Sequence, residues 1–169
     1  MMRSWLVFEG PIRRALHNLK YRRNVALGDS LARPLAEYVG ELGWPVDLVV
    51  PVPLGKERMK ERGYNQVALL AMPLAAINHW QYAPRALARS RETRSQVGLT
   101  IGERKENVSG AFLAKSALVS GVTVLLLDDV ATTGATVSAC AAALMNAGVR
   151  TVYALTLARS LPYHGLNNI

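Results

Sequence analysis

Leu125-Leu-Leu-Asp-Asp-Val-Ala-Thr-Thr-Gly-Ala-Thr136 is the stretch that decides how this 169-residue chain folds. Its apolar lead-in, Gly121-Val-Thr-Val-Leu-Leu-Leu127, is the clearest buried strand in the sequence, because a run rich in Val and Leu fits a strand covered on both faces. The strand is expected to end in two carboxylates, Asp128 and Asp129, after which a small-residue turn opens a helix over Thr136 to Ala147. Gly148 stops that helix, and Thr151 to Leu157 supplies the next strand. A complete strand–helix–strand crossover makes its two strands parallel.

Each part of the turn has a chemical use. Small residues let backbone N–H groups point inward, and the helix N-terminus adds partial positive charge, so the turn can wrap a phosphate monoester without a cation. Thr132, Thr133 and Thr136 add hydroxyl donors. Adjacent carboxylates accept hydrogen bonds from a vicinal diol, which predicts a ribose between Asp128/Asp129 and the phosphate nest. A P-loop needs a lysine after its glycine turn, and none stands here. A phospho-acceptor receiver also has an acidic pair, but near its chain start and with no phosphate nest directly after it. A mere helix cap needs one capping residue, whereas two acids and three threonines crowd these nine positions.

Outward from that unit the α/β pattern continues. Residues 11–40 predict two helices, the first carrying Ile12, Ala15, Leu16 and Leu19 at helical spacing, the second opening at Asp29 as N-cap. Asp47 to Pro53 predicts a buried strand, followed by a basic loop from Gly55 to Arg62. A helix is expected from about Tyr64, kinked or restarted at Pro73. Ser90 to Glu106 is expected to be an exposed loop ending in a short helix, and Ala111 to Leu113 a short strand.

At this length one domain spanning residues 1–169 is expected. Half the residues are hydrophobic and 19% are charged, which excludes a largely disordered chain. Cys140, the lone cysteine, excludes an internal disulfide, and its place on a helical apolar stripe predicts core packing rather than nucleophilic chemistry. No Cys/His cluster has zinc spacing, and no signal peptide or membrane span is legible, so a cytoplasmic protein is expected. The net charge is +8, with eleven of twenty Lys and Arg in residues 1–62 and six in residues 85–105, which suggests a polyanionic partner. His17, His79 and His164 share no motif, and Trp80, Tyr64 and Tyr82 are expected in the core rather than stacked on bases.

The acidic pair with its Thr/Gly turn resembles the phosphoribosyl pyrophosphate (PRPP) motif of type I phosphoribosyltransferases. Val50-Pro-Val-Pro53, Glu61-Arg-Gly-Tyr-Asn-Gln66, Arg94-Ser-Gln96 and Glu103 to Val108 with Gly110-Ala-Phe112 are similar to the ComF family of competence-associated phosphoribosyltransferase-like proteins. That resemblance, over about residues 9–159, implies a mainly parallel sheet flanked by helices and a flexible hood near residues 90–105. It implies that Asp128 and Asp129 hold the ribose hydroxyls and act as the catalytic pair. Val130, Ala131, Thr132, Thr133, Gly134, Ala135 and Thr136 would hold the 5-phosphate. The segment from Pro53 to Arg62 would meet pyrophosphate, with Lys56 and Arg62 the cations of interest and Arg62 favoured because Gly63 permits a tight turn. Arg94 in the hood and Lys20, in a Lys-aromatic pair, are further candidates.

Mg²⁺ is the implied cofactor, held mainly by PRPP and only indirectly by Asp128 and Asp129. Many family members carry a four-cysteine zinc module ahead of this domain, which this chain is expected to lack. Two functions follow. One is phosphoribosyl transfer linked to DNA uptake in natural transformation; the other is non-catalytic, ligand-gated handling of single-stranded DNA that uses the pocket for binding alone. PRPP or ribose 5-phosphate is the expected ligand, while competence proteins and a second copy of the chain stay open as partners.

Overall fold

A computed structural model describes residues 1–91, 101–108 and 110–160 of the chain. Its core is a five-stranded sheet in the order β1-β7-β6-β2-β3, formed by Met2–Val7 (β1), Leu48–Pro51 (β2), Gln81–Tyr82 (β3), Thr123–Ala131 (β6) and Thr151–Arg159 (β7). Every neighbouring pair is parallel, as the crossover at β6 predicts. A two-stranded antiparallel ribbon, Leu87–Arg89 (β4) with Phe112–Ala114 (β5), lies outside this sheet.

Strand alternation divides the core into two layers. Val49, Leu125 and Leu127 face Gly10–Tyr21 (α1), Val25–Glu41 (α2) and Ala68–Ile77 (α4), whose Leu16, Leu19, Leu35, Leu70 and Leu74 are almost fully buried. Leu48, Val50, Val124 and Leu126 face the opposite way, toward Val137, Cys140 and Leu144 of Ala135–Asn146 (α7). The β4–β5 ribbon, Ile101–Val108 (α5) and Ser116–Val119 (α6) add Leu87, Phe112, Val108 and Val119 to this second layer. Cys140 is wholly buried there, and Trp80 and Tyr82 pack against the first layer.

Several boundaries differ from the sequence reading, each for a physical reason. The cap of α2 is Asn24, whose side chain accepts from the Leu27 N–H at 3.0 Å, while Asp29 lies a turn inside the helix. The segment expected as a basic loop is a helix, Lys56–Arg62 (α3), ended by Gly63 in the left-handed conformation (φ 74°). It buries none of its residues, so it leaves no apolar periodicity to read.

α4 begins at Ala68 rather than near Tyr64, and it runs on through Pro73. Pro73 has no N–H for the Leu69 carbonyl four residues back. α2 passes close to that carbonyl: a Cβ on Gly28 would stand 2.6 Å from Leu69 O. Glycine is required at this crossing. Strand β6 continues through both acids to Ala131, because β7 supplies register partners as far as Arg159.

Candidate functional site

The site sits where the sheet's connections part. From β6 the chain crosses one face through α7 to β7, while from β2 it passes through α3 and crosses the other face through α4 to β3 on the opposite side. The carboxyl ends of β2 and β6 are therefore neighbours with diverging exits, the place where open α/β sheets leave a crevice. Val52 N–H donates to Leu127 O at 2.8 Å, fixing the register of the two ends. The segment that enters α3 and the turn that enters α7 flank the crevice.

Alternation along β6 sends the two acids to different faces. Asp129 is buried and turns toward α1, where its Oδ2 pairs with Lys20 Nζ at 2.9 Å and accepts from Gln66 Nε2 at 2.8 Å. Its Oδ1 accepts from the Val130 N–H at 2.7 Å. Both oxygens of Asp129 are thus engaged. Asp128 is only half-buried and turns toward α7, and its Oδ1 accepts from the Asp129 N–H at 2.9 Å. Among the described residues no donor reaches its Oδ2.

Burial, reinforced by the Asp129 charge next to it, pushes the Asp128 carboxyl up from 3.8 to about 8, although the Asp129 amide and Lys20 pull the other way. Burial, helped by Asp128, also pushes the Cys140 thiol well up, so it stays protonated. In β7 beside Asp128 lies Thr156, fully buried, whose Oγ1 shares a 2.7 Å hydrogen bond with Ser4 Oγ of β1.

The turn after β6 is short and open. Val130 and Ala131 belong to the strand, opposite Ala158 and Arg159, so the strand runs two residues past the acids at which the sequence ends it, and the turn proper is Thr132 to Gly134. Thr132 and Thr133 are exposed; Gly134 is left-handed (φ 77°) and caps α7 without any side-chain hydrogen bond. Ala135 and Thr136 open the helix, and the Ala135 N–H makes only a long, 3.4 Å contact with Thr133 Oγ1. A Cβ at Gly134 would approach only Met2 Sδ, at 3.7 Å.

The Arg-Gly-Tyr-Asn-Gln segment builds the opposite wall. Arg62 donates to Gln66 Oε1, so Gln66 relays a guanidinium to Asp129, and the Arg62 guanidinium lies 5.6 Å over the Tyr21 ring. Asn65 Nδ2 donates to Val52 O at 2.9 Å and holds the end of β2. Tyr64 Oη donates to Leu19 O at 2.7 Å and accepts from the Arg23 N–H at 2.8 Å. That clasp holds Arg23 at φ 42°, a conformation uncommon outside glycine, and fixes the end of α1 so that Lys20 reaches Asp129.

Of the residues singled out in the sequence, the structure joins Lys20, Arg62, Asp128 and Asp129 around one crevice, adds Gln66, and sets the Thr132–Gly134 turn beside them. Lys56 lines a cleft of about 480 Å³ together with Arg85, Arg89 and Lys115. Arg94 and most of the expected hood lie outside the described residues, as does His164. Gln66 could have been suspected only from its place at the end of the Arg-Gly-Tyr-Asn-Gln run. Among the described residues no three His, Cys, Asp or Glu side chains gather as metal ligands. With Asp128 and Asp129 turned to different faces of β6, these two acids do not converge on one ion.

Comparison with known proteins places this geometry in a family. The chain is 35% identical to the DNA utilization protein YhgH of Shigella flexneri over 157 residues, covering 89% of this chain and 68% of that protein. It is 32% identical to competence protein F of Haemophilus influenzae over 161 residues, covering 89% and 69%. This chain belongs to the ComF/YhgH family. Competence protein ComFC of Bacillus subtilis is 35% identical over 114 residues, 67% of this chain and 45% of that one. No protein-family model matches the chain. In fold, the family member resembles the glutamine PRPP amidotransferase of B. subtilis, with a TM-score of 0.53 and 21% identity over 76% of this chain and 25% of that one. The fold is thus phosphoribosyltransferase-like. Among the described residues no helix is long and apolar enough to cross a membrane.

Proposed function

We propose that this competence-family chain binds the ribose 5-phosphate group of PRPP and serves DNA uptake through that site. The observation that carries the reading is the arrangement at the end of β6. There the open oxygen of Asp128 lies just before the left-handed Gly134, which opens α7 without a side-chain cap.

The backbone donors of the Thr132–Thr136 turn take the 5-phosphate, assisted by the hydroxyls of Thr132 and Thr133 and by the α7 dipole. Asp128 Oδ2 takes a ribose hydroxyl. A carboxyl that is neutral near pH 7 can both donate and accept there, and it spares a phosphorylated ligand the repulsion of a second anion. Lys20 keeps one N–H on Asp129 and directs its remaining donors at the ligand. Arg62, held by Gln66, is the cation placed to offset charge on a departing pyrophosphate. Mg²⁺ in this scheme is carried by the diphosphate oxygens.

Both oxygens of Asp129 are engaged, by Lys20, Gln66 and Val130, and a saturated carboxylate is a poor proton acceptor, so a proton acceptor in a transfer reaction would be Asp128, whose Oδ2 is open. Calorimetry with PRPP, run beside a pyrophosphate-release assay with candidate acceptors, tests the proposal. Saturable binding supports the site; acceptor-dependent pyrophosphate then marks a transferase, and binding without release marks a ligand-gated module. Absence of binding with or without Mg²⁺ refutes both.

A further inference from the structure

β1 forms one edge of the five-stranded sheet, and among the described residues it pairs only with β7. Its register sets Met2 opposite Ala154, Ser4 opposite Thr156 and Leu6 opposite Ala158, and the Ala154 N–H donates to Met1 O. In a parallel ladder such bonds slant to alternate residues, so the N–H and C=O groups of Arg3 and Trp5 face β7 while those of Met2, Ser4 and Leu6 face outward. On that outer side Met2 O is met at 3.5 Å by Arg3 Nη1 of the same strand. Edge strands are commonly guarded by proline, a bulge or several charges. The run Met1-Met-Arg-Ser-Trp-Leu-Val7 has no proline or glycine, and Arg3 is its one charged side chain. Met1 and Val7, at its two ends, are exposed.

From this geometry we infer that β1 is a self-pairing edge, which joins antiparallel to β1 of a second copy of the chain with the twofold axis at Ser4. The outward groups fix the parity, since Met2, Ser4 and Leu6 are the residues able to exchange bonds across the axis. Ser4 then meets Ser4, and Met2 meets Leu6 of the second copy, and each pair exchanges both its N–H···O bonds. The side chains agree with that register. Met1 falls opposite Val7 and Met2 opposite Leu6, apolar against apolar, while each Arg3 falls opposite a Trp5, so a cation meets a ring rather than its own kind. A slip of two residues keeps the parity but shortens the overlap and sets Arg3 against Arg3, or Trp5 against Trp5 with Arg3 against Val7. The Ser4 hydroxyl already shares a 2.7 Å hydrogen bond with Thr156, so the centre of the interface buries no unpaired hydroxyl. A pattern complementary to itself about its own midpoint is what an isologous contact requires, and it selects a second copy over an unrelated strand. Two edges joined this way bury little apolar area, so the dimer is weak and concentration-dependent. The inference holds whichever ligand the crevice takes.

The test is sedimentation equilibrium of the whole chain from low micromolar to sub-millimolar concentration, on wild type, Ser4→Pro and Ser4→Ala. Proline removes the outward N–H from each copy and leaves the ladder to β7, to which that N–H does not contribute. Alanine takes the same hydroxyl from Thr156 but keeps the N–H, so it separates the strand pairing from the internal hydrogen bond. The expected result is a reversible dimer in wild type and Ser4→Ala, and dimer affinity at least about tenfold weaker in Ser4→Pro, with circular dichroism showing all three folded. Register is read separately by mild oxidation, which does not depend on the proline variant folding. Ser4→Cys should cross-link, because directly paired Cα atoms about 5.5 Å apart suit a disulfide. Val7→Cys is exposed but falls opposite Met1 in this register, and it should not; Cys140 is buried and takes no part. Wild type that stays monomeric throughout overturns the inference and leaves Arg3 as the guard of the edge. A dimer equally strong in folded Ser4→Pro overturns it, as does one weakened as much in Ser4→Ala. Val7→Cys that cross-links as fast as Ser4→Cys also overturns it.

Discussion

Replacing Asp128 by asparagine should change the pH dependence of folding in a definite direction. The carboxyl titrates near 3.8 in an unfolded chain and near 8 in the folded one, so between those values the native state holds a proton that the unfolded state has lost. Stability contributed by this group therefore falls as pH rises through the window and levels off above about pH 8. The slope approaches ~1.4 kcal/mol per pH unit. A window about four pH units wide sets a ceiling of about 6 kcal/mol. Asp128 is half-buried at a strand end where water can approach, so the realised loss is expected at a few kcal/mol. An asparagine at this position keeps the oxygen that accepts from the Asp129 N–H and cannot ionise. Urea denaturation of both proteins from pH 5 to 9 should show the wild type losing stability relative to Asp128→Asn as pH rises, with the gap constant above about pH 8. Two parallel profiles would refute the assignment of a raised carboxyl at this position.

Other perturbations follow from individual contacts. Lys20→Met should destabilise the fold by about 1–3 kcal/mol, between an exposed and a fully buried pair, because Asp129 is left buried with neutral partners only; thermal denaturation measures it. Gly134→Val should lose ribose 5-phosphate binding at a cost of about 1–2 kcal/mol in stability. The left-handed φ is the cause, since a Cβ has room beside Met2; wild-type affinity in a calorimeter would reduce the turn to a helix cap. Gly28→Ala should cost about 1–3 kcal/mol by forcing α2 away from the Leu69 carbonyl, read as a lower urea midpoint. Tyr64→Phe removes two hydrogen bonds at the end of α1 and should cost about 1–2 kcal/mol, with faster amide exchange at Arg23.

The parallel sheet and the β6–α7–β7 unit are legible in the sequence because a central strand is apolar on both faces and the glycine after α7 is unambiguous. The first two helices are legible from their buried stripes. What escapes has a common cause: those elements leave no periodic pattern. β1 is a half-buried edge strand, β4 has three residues, and α3 buries nothing. The cap of α2 cannot be placed from sequence because Asp29 and Asn24 are both good capping residues, and only the backbone shows which N–H groups need a partner.

Within the site, the acids and the turn can be named from sequence, but not their separation onto two faces. That follows from β6 running on through both acids and beyond the apolar run. Nor can sequence show that Gln66 crosses 63 positions to meet Asp129, or that the basic segment splits between Arg62 at the crevice and Lys56 at the cleft.

The central claim is that the end of β6 holds a ribose 5-phosphate, and titration calorimetry of ribose 5-phosphate into wild type and Asp128→Asn/Asp129→Asn tests it most directly. Circular dichroism should first show the double variant folded. Saturable binding to the wild type is then predicted, with affinity at least about tenfold weaker in the variant, a difference of about 1.4 kcal/mol. Equal affinity in the two folded proteins would contradict it.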